Sequence, residues 1–380
     1  MKTQHALLFL AAIGTSFTTN AAPNERALAV SKYWTAERMA AAQPRDFALD
    51  HRGLAYLKGK GGVLKPYGHN VPATPEPMAK GGKGGGGGKP GGGDSGGGDT
   101  GGTGFVDVKN SPWTNGGHVQ NAAGRIYFVM EGSGYVCSGT LINDGETESD
   151  RSIVLTAAHC VYDDINKKFA QAAIFIPNQA NTTGTVGTDG DCSNDPLGCY
   201  VIDYGVVSEG WSQRTFPDNI PWDYAFFALG TNEISPDADR FSNVGNSIPL
   251  DRRDNVTPME ISFAEAEYTL YTRALGYSYS DDPNFMYCGE PLTGAVYDPD
   301  GYLLPNCGMS GGASGGPWSQ SQDLDLGTGP IFSVNSYGPA RGKSYMGGPN
   351  LNKSDASCLF DKVKTAPSDQ TEGIVTTCSN

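Results

Sequence analysis

Between Gly308 and Trp318 the chain reads Gly-Met-Ser-Gly-Gly-Ala-Ser-Gly-Gly-Pro-Trp. So much glycine is costly in a helix or strand, by about 0.5–1 kcal/mol per residue relative to alanine. The run therefore reads as a sharp turn. Such a turn exposes the Ser314 hydroxyl and clears side chains from around it. It also leaves backbone N–H groups free to point at a negatively charged oxygen. A flexible surface loop has the same composition. The meaning of the stretch depends on whether the rest of the chain supplies partners for Ser314.

The chain has 380 residues and a formal net charge of -14. That balance argues against nucleic acid or an anionic membrane surface as a partner. Met1-Lys2 is a short basic start, Ala6–Phe17 is mostly apolar, and small residues follow at 19–22. This is the pattern of a secretory signal peptide, residues 1–21, cut near Ala21 or Ala22. The apolar run is shorter than the roughly 20 residues a spanning helix needs. The expected location is outside the cytoplasm, secreted or periplasmic. All eight cysteines follow residue 136, and in an exported chain an even number reads as disulfides. No C-x-x-C or paired histidine spacing suggests a metal site, and no metal or cofactor is expected.

Residues 22–80 differ in character. Ala27–Ala42 reads as a short helix ending before Pro44. The stretch 58–77, rich in Gly, Pro and Lys, is too small for a core of its own. Residues 81–104 are nearly all glycine, a flexible linker. A phosphate-binding loop is excluded there, because Lys89 is followed by Pro90 rather than Ser or Thr. We read 22–80 as a pro-segment, 81–104 as its linker, and 105–380 as the main domain.

The main domain is patterned as short β-prone runs: Arg125–Val129, Ser152–Leu155, Ala173–Ile176, Tyr224–Leu229, Tyr268–Tyr271 and Ile331–Val334. Turn residues separate them, which predicts an all-β barrel or sandwich. The best helical candidate is near Asp355–Lys364.

A serine hydroxyl attacks a carbonyl only with a base beside it, usually histidine. Of five histidines, only His118 and His159 lie in the main domain. His159 ends the run Ile153-Val154-Leu155-Thr156-Ala157-Ala158-His159-Cys160, whose small residues allow close packing where an imidazole must face a partner. His118 sits in a Gly-rich loop and reads as an ordinary surface residue. Asp223 opens the apolar run Tyr224–Leu229. A carboxylate buried there needs a partner, and the His159 ring would serve. Asp203 is the rival acid. Gly312-Ala313-Ser314-Gly315-Gly316 also fits the nucleophile elbow of α/β-hydrolases. That fold places its histidine after the serine, and no histidine follows Ser314 here.

The order His159, Asp223, Ser314 and the surrounding motifs resemble the trypsin/chymotrypsin-like serine peptidases, closest to secreted bacterial members. The matching pieces are Cys137–Ile142, Leu155–Cys160, Asp223–Ala225, Gly312–Pro317 and Val334–Gly338. The resemblance implies two packed six-stranded antiparallel β-barrels with the site in the cleft between them, and a short C-terminal helix. It implies catalysis by His159, Asp223 and Ser314, and an oxyanion hole from the N–H groups of Gly312 and Ser314. Ser336, Tyr337 and Gly338 would bind the substrate backbone, with Ser310 and residues 341–348 near the pocket. Protein or peptide substrates and a monomer are implied. A relative that has lost catalysis and only binds or adheres would lack a triad residue, and all three are present.

A Cys137–Cys160 disulfide follows from the same pattern. Short loops close most easily, which suggests Cys192–Cys199, Cys288–Cys307 and Cys358–Cys378. The acidic loops 144–150 and 189–195 lack the ligand spacing of a calcium loop. Two departures stand out. Ala313 occupies the position of the acid that receives a new N-terminus in trypsin-like zymogens, so that switch is absent. Cys307 lies seven positions before Ser314, which shifts the segment where trypsin reads charge; if Gly308 takes that position, no acid is there for Lys or Arg, and the sequence does not fix the specificity. Removal of the pro-segment would then relieve blocking or assist folding instead.

Overall fold

The computed structural model describes residues 26, 29, 30, 32–68, 106–145, 152–182, 195, 197–229, 256–281, 283–352, 355–367 and 373–378. The expected signal peptide and glycine linker, Cys192 and most of the two acidic loops lie outside the described residues.

The N-terminal segment carries four short strands, β1 (Gln43–Pro44), β2 (Asp46–Leu49), β3 (Ala55–Lys58) and β4 (Leu64–Pro66). The main domain opens with β5 (Val108–Pro112). It continues through β6 (Ala123–Met130), β7 (Ser133–Ile142), β8 (Ile153–Thr156), β9 (Tyr162–Asp163), β10 (Lys168–Phe169), β11 (Gln171–Pro177), β12 (Tyr200–Ser208) and β13 (Ala225–Leu229). Strands β7, β6, β11, β12, β13 and β8 pair in that order, all antiparallel, and β7 closes on β8. This is a closed six-stranded barrel. Each of the six strands is paired on both sides, and the overhanging ends of β7 and β12 take up β1 and β22 as well.

Alternation along β6 shows how the barrel is filled. Ile126, Phe128 and Met130 join the main core, while Tyr127 and Val129 face outward into a second cluster. That cluster is completed by Val30, Trp34 and Met39 of the N-terminal segment. Every residue of β6 is therefore buried, which accounts for its unbroken apolar run from Ile126 to Met130.

The second half contains β14 (Tyr271–Gly276), β15 (Met286–Pro291), β16 (Thr293–Gly294), β17 (Tyr302–Leu304), β18 (Pro317–Gln320), β19 (Ile331–Val334), β20 (Tyr337–Pro339) and β21 (Met346–Gly348), with β22 (Ile374–Thr376) returning to the barrel beside β12. Here the expectation of a second closed barrel is not met among the described residues. The strands divide into two open sheets, β19-β18-β14-β15-β5 and β16-β17-β21-β20-β2-β3-β4. The physical reason is strand length. Most are two to four residues long, and the shift between Trp318 and Ser319 turns β18 early. The second sheet is instead extended by the N-terminal segment.

Other expectations hold with adjustments. Helix Ala356–Thr365 matches the predicted C-terminal helix and buries Leu359, Phe360 and Val363. The predicted strand Tyr268–Tyr271 starts only at Tyr271, because Thr269 is left-handed with φ 73°. The predicted helix Ala27–Ala42 is interrupted. Trp34 and Thr35 are not helical, and Thr35 caps Ala36–Ala41 by accepting from Arg38 N. Trp34 turns inward and its indole N–H donates to Ala172 O.

Disulfides join Cys137–Cys160, Cys288–Cys307 and Cys358–Cys378. Cys199 is also disulfide-bonded. No helix among the described residues is long and apolar enough to cross a membrane.

Candidate active site

His159 sits in a short helical turn, Ala158–Cys160, at the end of β8. Asp223 follows a similar turn, Ile220–Trp222, just before β13. Strands β8 and β13 pair with Thr156 opposite Ala225. That register brings the two side chains together from positions 64 residues apart. His159 Nδ1 lies 2.8 Å from Asp223 Oδ2, and the His159 backbone N–H donates to Oδ1 at 2.9 Å. The Ser336 hydroxyl also donates to Oδ2. Asp223 and His159 are fully buried, so the carboxylate is satisfied by three donors rather than by water. This is the orienting half of a Ser-His-Asp arrangement typical of serine endopeptidases.

Ser314 comes from the other half of the molecule, on the turn leading into β18. Gly312 and Gly315 have φ of 94° and 82°, which side chains rarely adopt. The turn is locked to the barrel by one serine. Ser138 N–H donates to Ser314 O at 2.7 Å, and its hydroxyl donates to Gly312 O at 2.8 Å. Asn335 holds the other side. Its amide donates to Leu275 O and Ala313 O and accepts from the Trp318 indole. Gly315 N–H donates to Asn335 O. Ser138 and Asn335 both lie in the motif segments, but their roles were not evident in sequence. Most of what they bond is backbone, which leaves no pattern in the letters.

The remaining candidates fall elsewhere. Asp203 faces Arg26 at 4.0 Å. His118 lies in helix Gly117–Ala122 and is tied to Leu326 O through its backbone. Ser310 Oγ is 2.7 Å from Ser280 Oγ. Met309 and Met346, flanking the predicted pocket, are buried in one apolar cluster with Trp318. Cys137, Cys160 and His159 come close together, but the two sulfurs are bonded to each other and offer no thiolate. Ala313 is fully buried. The first residues after the linker are already built in, with Gly308 N–H donating to Lys109 O at 2.7 Å.

The N-terminal segment lies across this site. Strand β1 adds parallel to β7, and β2 adds parallel to β20, with Phe47 opposite Tyr337 and Ala48 opposite Gly338. The backbone that the sequence assigned to substrate is thus paired with the chain's own residues. Phe47 is fully buried. Its ring centroid lies 4.7 Å from that of His159 and 4.3 Å from that of Phe216. Arg45 Nε donates to His159 O at 2.6 Å. A Cβ on Gly311 would meet Pro44 and Asp46 side chains.

Burial pushes the Asp46 carboxyl up to about 6, against the opposing pull of Lys58 and His159. Stability from this group is complete below the ordinary carboxylate range and is lost as pH rises through 6. Asp46→Asn should flatten that loss, which is on the order of 2–3 kcal/mol, in melting curves of the full chain between pH 4.5 and 7.5. An unchanged pH slope would contradict it.

With the geometry in hand, the fold is that of the trypsin/chymotrypsin-like serine peptidases. The model of a family described as lysyl endopeptidase, C-terminal domain, matches residues 102–201, which include His159 but neither Asp223 nor Ser314. The crystal structure of the protease Anisep from Arthrobacter nicotinovorans is 24% identical, with a TM-score of 0.51, covering 69% of this chain and all of that one. That of the thermostable serine protease AL20 from an extremophilic microorganism is also 24% identical, with a TM-score of 0.50, covering 65% and 99%. No curated protein matches the sequence.

Proposed function

We propose that the chain is a secreted serine endopeptidase that cuts peptide bonds through an acyl-enzyme. The observation that carries this reading is the buried His159–Asp223 pair at 2.8 Å, beside a glycine turn that Ser138 ties to the barrel. Ser314 attacks the carbonyl carbon while His159 takes its proton. His159 then gives that proton to the leaving amine, and water repeats the sequence to free the acid. Asp223 fixes the ring tautomer and stabilises the imidazolium. The N–H groups of Gly312 and Ser314 serve the developing oxyanion, each worth about 100-fold in rate or more. Ser336, Tyr337 and Gly338 align the substrate backbone. No cofactor takes part.

Further parts of the reading rest on sequence pattern. The domain division is signal peptide 1–21, pro-segment 22–80, linker 81–104 and peptidase domain 105–380, acting as a monomer outside the cytoplasm. Within the family pattern the open second half stands for the second barrel. Lysine is the first cleavage residue to test, given the name of the matched family model.

Labelling with a fluorophosphonate probe tests the activity. Processed protein should be labelled and Ser314→Ala should not. Absence of Ser314-dependent labelling in the processed protein would overturn the reading.

A further inference from the structure

We propose that residues 35–67 are an inhibitor of the chain's own cleft, seated by Phe47 and Arg45, that fills the site without presenting a carbonyl to Ser314. This rests on the peptidase reading above.

Three observations carry it. First, the segment bridges both halves of the molecule at the site. It is paired to β7 on the barrel and to β20 on the second half within seven residues, Gln43 to Leu49. A peptide substrate needs that same β20 edge, and one edge pairs with one strand.

Second, its side chains fit receptacles there. The Phe47 ring lies among His159, Trp211 and Phe216, between the imidazole and anything approaching that face. Arg45 is buried, donating to His159 O and to Tyr67 OH. Tyr67 OH in turn donates to the buried Asp164, which also accepts from Phe216 N and Asn219 Nδ2. Buried polar groups so matched form a specific seat rather than a chance cover.

Third, the segment is not poised for cleavage. Among the described residues no backbone bond runs from Gly312 or Ser314 N–H to one of its carbonyls, and His159 Nε2 has no hydrogen-bond partner. The cleft is occupied, yet the reacting atoms are unengaged. The segment therefore persists as a plug until the chain is cut elsewhere or the plug is displaced.

The test uses the full chain with a site-specific protease sequence placed between Gly81 and Gly104. Fluorophosphonate labelling of Ser314 is followed before and after nicking, together with gel filtration. The intact chain should label at least ten-fold more slowly than protein freed of the segment. After nicking, residues 35–67 should co-elute with the peptidase domain and labelling should stay slow. Phe47→Ala should raise the rate ten-fold or more in the intact chain, and Arg45→Ala should release the nicked segment. Melting curves exclude misfolding as the cause. Intact chain that labels as fast as freed protein would overturn the inhibitor proposal alone. Freed, folded protein that never labels would instead overturn the peptidase reading.

Discussion

Asp223→Asn should lower kcat by about four orders of magnitude while leaving the fold in place. The carboxylate accepts from the His159 ring, the His159 backbone and the Ser336 hydroxyl. An asparagine keeps one oxygen, which can still accept from the backbone N–H. Its NH2 group, however, would donate where Oδ2 now accepts. The ring would respond by carrying its proton on Nε2, the nitrogen that must take the proton of Ser314. The imidazolium would also lose its counter-charge. Thermal stability should fall by only about 1–2 kcal/mol, the range for one altered buried hydrogen bond. Kinetics on a cleavable peptide with the segment removed, beside melting curves, separate the two effects. Asp203→Asn is the control and should keep near-full activity, since Asp203 faces Arg26. A drop of less than ten-fold for Asp223→Asn would remove this residue from the proposed role.

Gly315→Ala should be among the most damaging single methyl additions at the described residues. The new Cβ would overlap Thr156 Oγ1 and Ser138 O and lie 2.9 Å from Ala157 N, and φ is 82° there. None of these neighbours can retreat. Thr156 Oγ1 donates to Ser138 O, and Ser138 in turn holds Ser314. The serine turn would have to lift away from the barrel. A cost of about 3–5 kcal/mol is expected from overpacking and left-handed strain together, a large share of a typical stability of 5–15 kcal/mol. Denaturant unfolding should show it, and residual folded protein should lose Ser314 labelling. A change below about 1 kcal/mol would mean that the turn is far softer than its contacts indicate. Gly132→Ala offers a contrast, since its φ is 73° but nothing lies within 4 Å of its Cβ position. It should cost only the backbone strain, about 1 kcal/mol.

The site was legible in the sequence because its chemistry needs particular residue types in a fixed order. His159, Asp223 and Ser314 sit in motifs whose neighbours are also constrained: small residues before the histidine, an apolar strand after the aspartate, glycines around the serine. The barrel strands were legible where alternation or continuous burial marks them, as in β6, β8, β11 and β13. Tyr268–Leu270 misled because its β-prone letters carry no sign of the left-handed turn at Thr269. Ser138 and Asn335 were invisible as supports, since each acts through bonds to distant backbone.

The sequence by itself determined the all-β class, the proposed triad residues and their order, and the disulfides Cys288–Cys307 and Cys358–Cys378, with Cys137–Cys160 implied by the family resemblance. These depend on residue type, local spacing and loop closure. Only the tertiary structure decided that the described residues of the second half form open sheets, and that residues 43–49 cross between the halves, pairing with β7 of the barrel and β20 of one open sheet. Nothing local in Gln43–Leu49 states which strand edge it will join. Pairing at an edge is set by unsatisfied backbone groups and by a cavity that admits Phe47, and both exist only once the two halves have come together.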